Sequence, residues 1–154
     1  MMTITTALLI DHPDAIEGLT ALLDATWPDW YNPRGASART DLSERMRRDG
    51  LPLGIVALGD GNIVGTCALT ATSGGMVTER SPWLSGLVVA PKWRRHGVAT
   101  ALLGRARTEA RRLGQKRVYA LTASADPLLA REGWAVSDVL LMSGEPHRIF
   151  MAVA

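Results

Sequence analysis

The chain is 154 residues long, 47% hydrophobic and 21% charged, a length and balance that suit one globular domain and leave no room for a second core. No stretch approaches the roughly eighteen apolar residues that a membrane span needs, the start "MMTITTALLID" lacks a secretory signal, and Cys67, the single cysteine, excludes an internal disulfide; a soluble, cytoplasmic, single-domain protein spanning residues 1–154 is expected. The net charge of +2 hides an asymmetry: residues 1–33 hold five acids and no lysine or arginine, whereas residues 92–117 hold nine of the 17 basic residues and one acid, Glu109.

In chain order, "TITTALLI" (3–10) reads as a first strand. In "DHPDAIEGLTALLDATWPDW" Ile16, Leu19, Leu23 and Trp27 fall at helical spacing, Pro13 suits the first turn and Pro28 stops the helix. "DLSE", Asp41 to Glu44, resembles a capping box opening a short second helix that ends near Asp49 and Gly50. Two β-rich runs in "LGIVALGDGNIVGTCALTA" flank Gly59-Asp60-Gly61-Asn62 as a hairpin. Cys67 lies in the second run, where a buried, inert thiol is expected.

"WLSGLVVA" (83–90) is apolar enough for the middle of a sheet and is ended by Pro91. Residues 97–114 form the clearest helix, with Val98, Leu102, Ala106 and Ala110 on one face, Gly114 as cap, and Arg105, Arg107, Arg111 and Arg112 on an opposite, solvated face. "KRVYALTA" gives a further strand, Asp126-Pro127 opens a short helix closed by Gly133, and "WAVSDVLLM" and "HRIFMAVA" form a final hairpin. The sum is a mixed α/β fold in which a central strand runs straight into an arginine-flanked helix.

"KWRRHG", residues 92–97, stands at that junction. A helix N-terminus presents unpaired backbone N–H groups and about half a positive charge, so anions bind there. Gly97 lets the backbone approach a ligand without a Cβ in the way, and Ala99 is the next smallest choice. Lys92 and Arg94 precede the helix, where charge-assisted bonds to a phosphate are strong. His96 reads as a solvent-facing loop residue rather than a catalyst.

The run "GLVVAPKWRRHGVATALL", a strand, a proline, Arg94-x-x-Gly97-x-Ala99 and an amphipathic helix, resembles the acyl-CoA signature of the GNAT superfamily of N-acetyltransferases. The order of the other elements is similar to the family's as well, down to a short helix ending in Gly133-Trp134 where the family usually has Gly-Phe. The resemblance implies an α/β GNAT fold: a mixed, mostly antiparallel sheet of six to seven strands flanked by about four helices, with the fourth and fifth strands splayed. It implies acetyl-CoA as cosubstrate, no metal, an amine acceptor and, commonly in the family, a homodimer.

The family's pyrophosphate loop falls on Arg94 to Thr100, with the backbone amides of Arg95, Gly97, Val98 and Ala99 as phosphate donors and with His96 and Thr100 in the same loop. Arg95 stands where the family commonly has glycine. The resemblance places the thioester oxygen against the N–H of Leu87, and further coenzyme contacts on Val88, Val89 and Ser124.

Attack of an amine on a thioester needs a neutral amine, an oriented carbonyl, an oxyanion donor and a proton for the leaving thiolate. Many family members draw that proton from a tyrosine four residues before the Gly-Phe, a place held here by Leu129, and Trp83 replaces a glutamate that some members use. A thiol pKa of about 8.5 still makes the thiolate a tolerable leaving group. Glu79 and Tyr119 are the remaining acid–base candidates, against plainer readings as a solvated loop charge and a half-buried strand tyrosine.

In the family the acceptor pocket lies between the loop joining the first two helices and the final hairpin. Here that loop, "TWPDWYNPRGAS", sets Trp27, Trp30 and Tyr31 beside Asp29, as core plugs or as a substrate wall. With the acidic first third of the chain these fit a cationic or aryl amine. Three functions stay open: acetyl transfer to a primary amine, expected to be a small molecule rather than a protein N-terminus or lysine; a catalytically degenerate acyl-CoA-binding regulatory module; and nucleic-acid binding through residues 92–117. The near-balanced charge and the absence of interleaved aromatics after the motif oppose the last, and no membrane partner is expected.

Overall fold

Seven apolar runs become strands: β1 (Ile4–Leu8), β2 (Leu53–Gly59), β3 (Asn62–Thr70), β4 (Trp83–Val89), β5 (Arg117–Thr122), β6 (Ala135–Met142) and β7 (Glu145–Val153). A computed structural model describes residues 3–31, 37–73, 78–122, 125–142 and 144–154 of the chain. The strands form one sheet in the order β1-β2-β3-β4-β5-β7-β6. Every pairing is antiparallel except β4 with β5, which fits the mostly antiparallel sheet expected.

Successive residues of β2 serve opposite faces of the sheet, as the two-residue strand period requires. Ile55 joins a core with Cys67, Leu69 and Phe150, whereas Val56 joins a second core with Leu19, Leu23 and Leu42. Both faces of β2 are therefore covered, and its continuous apolar run follows from that. The first face is closed by α4 (Val98–Arg112), whose Val98, Leu102, Leu103 and Ala106 are buried; Leu102 and Leu103 contribute about 2 kcal/mol each by burial. The second face is closed by α1 (Ile16–Thr26) and α3 (Ala38–Glu44). Cys67 is fully buried and its thiol pKa is pushed up to about 12 by that burial, so it is inert as expected.

Two helix boundaries differ from the sequence expectation. Pro28 ends α1 but also opens a further turn, α2 (Pro28–Tyr31), because proline suits the first helical position as well as it stops a helix. "DLSE" closes α3 instead of opening it: the cap is Ser37, whose hydroxyl accepts from the Thr40 N–H at 3.2 Å. Ala38 and Leu42, one turn apart and both buried, set the start of that helix earlier than the capping pattern did. A fifth helix, α5 (Asp126–Arg131), follows β5.

The arginines of α4 are not the solvated face expected of them. Arg105 donates to Glu109 and to the Thr6 carbonyl, each at 2.8 Å, Arg107 donates to the Val153 carbonyl at 2.8 Å, and Arg112 donates to Glu109 at 2.6 Å and Asp49 at 2.9 Å. Of the four, Arg111 alone is exposed without such a bond among the described residues. The flanks of α4 lie over the edge strand β1 and the end of β7, whose carbonyls need donors, and long guanidinium stems reach them. Glu109 is buried at their centre; burial alone would raise its pKa, but the bonds from Arg112 and Arg105 outweigh burial and hold the carboxyl below its ordinary value. Among the described residues no helix is long and apolar enough to cross a membrane.

Candidate functional site

The β4–α4 junction builds a cradle from its backbone. Gly97 is the N-cap of α4 with φ 80°, and no side chain caps the helix or places an acid in its first turn. The first-turn N–H groups are thus left for a ligand. Arg95 has φ 64°, in the left-handed region that glycine fills readily and other residues enter at a cost of about 1–2 kcal/mol. The glycine common at that place in the resemblance is explained by this φ; here the loop keeps the conformation with an arginine. Arg94, Arg95, Gly97, Ala99 and Thr100 line a cavity of about 150 Å³, joined by Arg131 of α5. Thr100 also donates to Glu132 at 3.2 Å.

Beside the cradle β4 parts from β5. Only Trp83 with Tyr119 and Leu84 with Ala120 are paired; beyond them the two strands share no register. On its other side β4 carries a bulge, since Thr66 pairs with Val88 and Ala68 with Ser85, leaving Gly86 and Leu87 opposite Cys67. Gly86 has φ 61°, which supplies the local turn of such a bulge. Leu87 therefore has no register partner on either neighbouring strand, and it lines the opening between β4 and β5, about 410 Å³, together with Ala120, Thr122, Leu129 and His147.

A larger cavity of about 700 Å³ opens on the far side of the bulge, walled by Trp27, Trp30 and Tyr31, with Asp41, Arg45 and Gly86. Its size is that of a small-molecule site. Trp27, Ser73, Ser85 and Gly86 line both this cavity and the β4–β5 opening, so the two adjoin. The Tyr31 hydroxyl donates to Asp41 at 3.1 Å, and burial followed by the negative charge of Asp41 pushes its pKa up to about 12. It is a donor, not a base. Thr70 donates to the Thr72 carbonyl at 2.7 Å, so Ser85, 2.6 Å from the Thr70 hydroxyl, donates to it and keeps its own lone pairs free.

Of the residues expected at the site, Leu87, Val89, Arg94, Arg95, Gly97, Val98, Ala99 and Thr100 line the cradle or the opening. The Val88 side chain is in the core on the opposite face, as strand alternation dictates beside Leu87. His96 lines neither cavity and meets the Trp93 ring edge-on at 6.3 Å. Ser124 lies outside the described residues. Trp27, Trp30 and Tyr31 do wall the large cavity.

Two acid–base candidates are not brought to it. Glu79 is exposed in its loop, and Tyr119 packs on the buried Trp83, ring centroids 5.6 Å apart, because their register places both on the paired end of β4 and β5. Arg45, Arg131 and His147 were missed by the sequence reading. Each lies in a segment read only for its helix or strand pattern, and no motif marks it.

His147, on β7, is 3.1 Å from the Glu145 carbonyl through Nδ1. A carbonyl only accepts, so Nδ1 carries the hydrogen in that contact, and in the neutral ring this leaves Nε2 as the acceptor. The residues fit a coenzyme A thioester: uncapped amides and three arginines at one end, and an unpaired strand edge between β4 and β5 for an extended arm.

A sequence model of the acetyltransferase (GNAT) family matches residues 19–131. No curated protein sequence matches. Among solved structures, an aminoglycoside 6′-N-acetyltransferase complexed with coenzyme A superposes with a TM-score of 0.78 at 16% identity, covering 98% of this chain and 96% of that one. The aminoglycoside 6′-N-acetyltransferase from Enterococcus faecium gives 0.75 at 18%, with 98% and 96% covered, and yncA from Salmonella typhimurium with its cofactor acetyl-CoA gives 0.73 at 18%, with 99% and 93% covered. At these identities the likeness is one of fold. The family match, in contrast, runs through the β4–α4 junction and its cradle, and the chain belongs to the acetyltransferase (GNAT) family.

Proposed function

We propose that the protein moves an acetyl group from acetyl-CoA to the primary amine of a small molecule by direct attack in a ternary complex. The observation that carries this is the order of sites along β4: Ser85 and Gly86 line the large cavity, Leu87 the opening, and Val89 the cradle. One strand aligns acceptor, transfer point and coenzyme phosphates. When bound, acetyl-CoA supplies a thioester whose carbon–sulfur bond breaks as the acceptor nitrogen bonds to the carbonyl carbon, the electron pair going to sulfur and the nitrogen's lost proton balancing the thiolate.

The chain's own residues do the rest. The amides at the start of α4, with Arg94 and Arg131, hold the phosphates. The Leu87 N–H, off the ladder on both sides, donates to the carbonyl oxygen as that oxygen gains negative charge, a role worth roughly a hundred-fold in rate or more. His147 Nε2 takes the proton from the attacking amine or returns it to the thiolate, since it shares the opening with Leu87 and with Leu129, the place of the family's tyrosine. Trp27 and Tyr31 wall off water from the acceptor.

The rival reading, a module that binds acyl-CoA without transferring it, draws on Leu129. Thiol release from acetyl-CoA, followed with a chromogenic disulfide over a panel of amines, separates the two. Acceptor-dependent release is expected; tight coenzyme binding with no release from any amine would sink the transfer reading.

A further inference from the structure

We propose that the acceptor amine also bears a carboxylate, as in an amino acid with an aromatic or other apolar side chain, and that Arg45 binds that carboxylate; this rests on the acetyl-transfer reading above. Arg45 follows α3 with its backbone fixed at both ends, its N–H bonding to the Asp41 carbonyl at 3.2 Å and its carbonyl accepting from Gly54 at 2.8 Å. From that root the half-buried side chain reaches the bulge in β4, where a Cβ on Gly86 would lie 3.3 Å from Nη1 and 3.6 Å from Nη2. Nη1 is buried and has no hydrogen-bond partner among the described residues. No described carboxylate forms an ion pair with the guanidinium. Asp41, one helical turn back, is engaged by Tyr31.

A guanidinium stays charged in any protein setting. Set into a wall without a counter-ion, it is an expensive arrangement until an anion completes it. Its place selects the anion. Gly86 precedes Leu87, so an anion on Arg45 stands beside the transfer point, and the attacking nitrogen must be only a few bonds away from it. An α-amino acid meets that spacing, with its side chain against Trp27 and Tyr31 in the same cavity.

None of the five acids of the first third, which as sequence suggested a cationic acceptor, is among the described residues that line this cavity: Asp11 pairs with Arg48 and Glu17 with Arg39, and Asp29 lines a neighbouring hollow with Trp27 and Trp30. Asp41 is the one carboxylate among the cavity's described lining residues. An aminoglycoside would bring further positive charge against an uncompensated guanidinium, and like charges at close range disfavour it.

The test compares glycine, alanine, phenylalanine and tryptophan with their decarboxylated amines, and with kanamycin, in two readouts: acetyl-CoA-dependent thiol release, and calorimetric binding to the coenzyme A-loaded protein. At least one amino acid is expected to exceed its decarboxylated partner by roughly ten- to hundred-fold in kcat/KM or in affinity, the range of one hydrogen-bonded charge pair. Arg45→Gln is expected to erase that ratio through the KM for the amino acid, whereas Arg45→Lys keeps part of it, and unchanged coenzyme A affinity shows that both variants fold. Equal or better use of the decarboxylated amines or kanamycin, a preference that survives Arg45→Gln, or no carboxylate-dependent binding across the series overturns the proposal. Arg45-dependent binding without thiol release would instead leave it standing and remove the transfer reading.

Discussion

The coenzyme-facing cradle and the large cavity across the bulge are built from different material. The cradle is backbone: uncapped amides at the start of α4, a left-handed Gly97, and Leu87 held off its ladders. It comes from one short segment, so its parts keep their spacing wherever the strand–turn–helix unit goes. The large cavity is side chains from α2, α3, β3, β4 and the segments that join them to their neighbours, placed by packing of elements distant in sequence. Backbone sites tolerate varied side chains and so serve a common cosubstrate, whereas side-chain sites change with each residue and so set which acceptor enters.

Breaking the backbone half is expected to have the largest effect. Gly97→Glu puts a carboxylate and a Cβ at φ 80° against the phosphates, and should cost at least roughly a hundred-fold in coenzyme A affinity by calorimetry. Unchanged affinity would mean that the phosphates do not sit at the start of α4. Next, His147→Gln tests the proton route: kcat should fall roughly ten- to hundred-fold with the KM for acetyl-CoA little changed, and an undiminished kcat would return the proton to solvent.

The other end of α4 offers the contrast of a purely structural site. Glu109→Gln should lower stability at neutral pH by about 2 kcal/mol, less than the loss of a fully buried pair because both arginines are partly exposed, with coenzyme affinity unaffected. Since the native carboxyl titrates below the ordinary value of 4.5, its contribution is complete above that pH and is lost as pH falls through the native value. Urea unfolding of the two proteins should therefore converge in acid; a constant gap at all pH values would deny the ion pairs their role. Arg95→Gly should have the smallest effect, a gain of about 0.5 kcal/mol as relief at φ 64° slightly exceeds glycine's entropy cost, with coenzyme affinity reduced no more than a few-fold. A larger loss would show that the Arg95 side chain, not only its amide, holds the phosphates.

By itself the sequence determined what depends on neighbours within a few residues. The β-rich runs of β2 and β3, the turn at Asp60-Gly61, the strand that stops at Pro91, the Gly97 cap and the apolar stripe of α4 are all written in residues close together in the chain. The cradle was legible for the same reason. What only the tertiary structure decided is where isolated polar residues end up. The α4 arginines became staples because the edge strand β1 and the end of β7 lie under them. Tyr119 fell away from the site because β4 and β5 pair at only one end, and Glu79 stays exposed in the loop before β4. Arg45 and His147 reached the cavities from the residue after α3 and from β7. Such placements depend on sheet order and helix docking, long-range properties with no local period, and the acceptor choice and proton route proposed above depend on them.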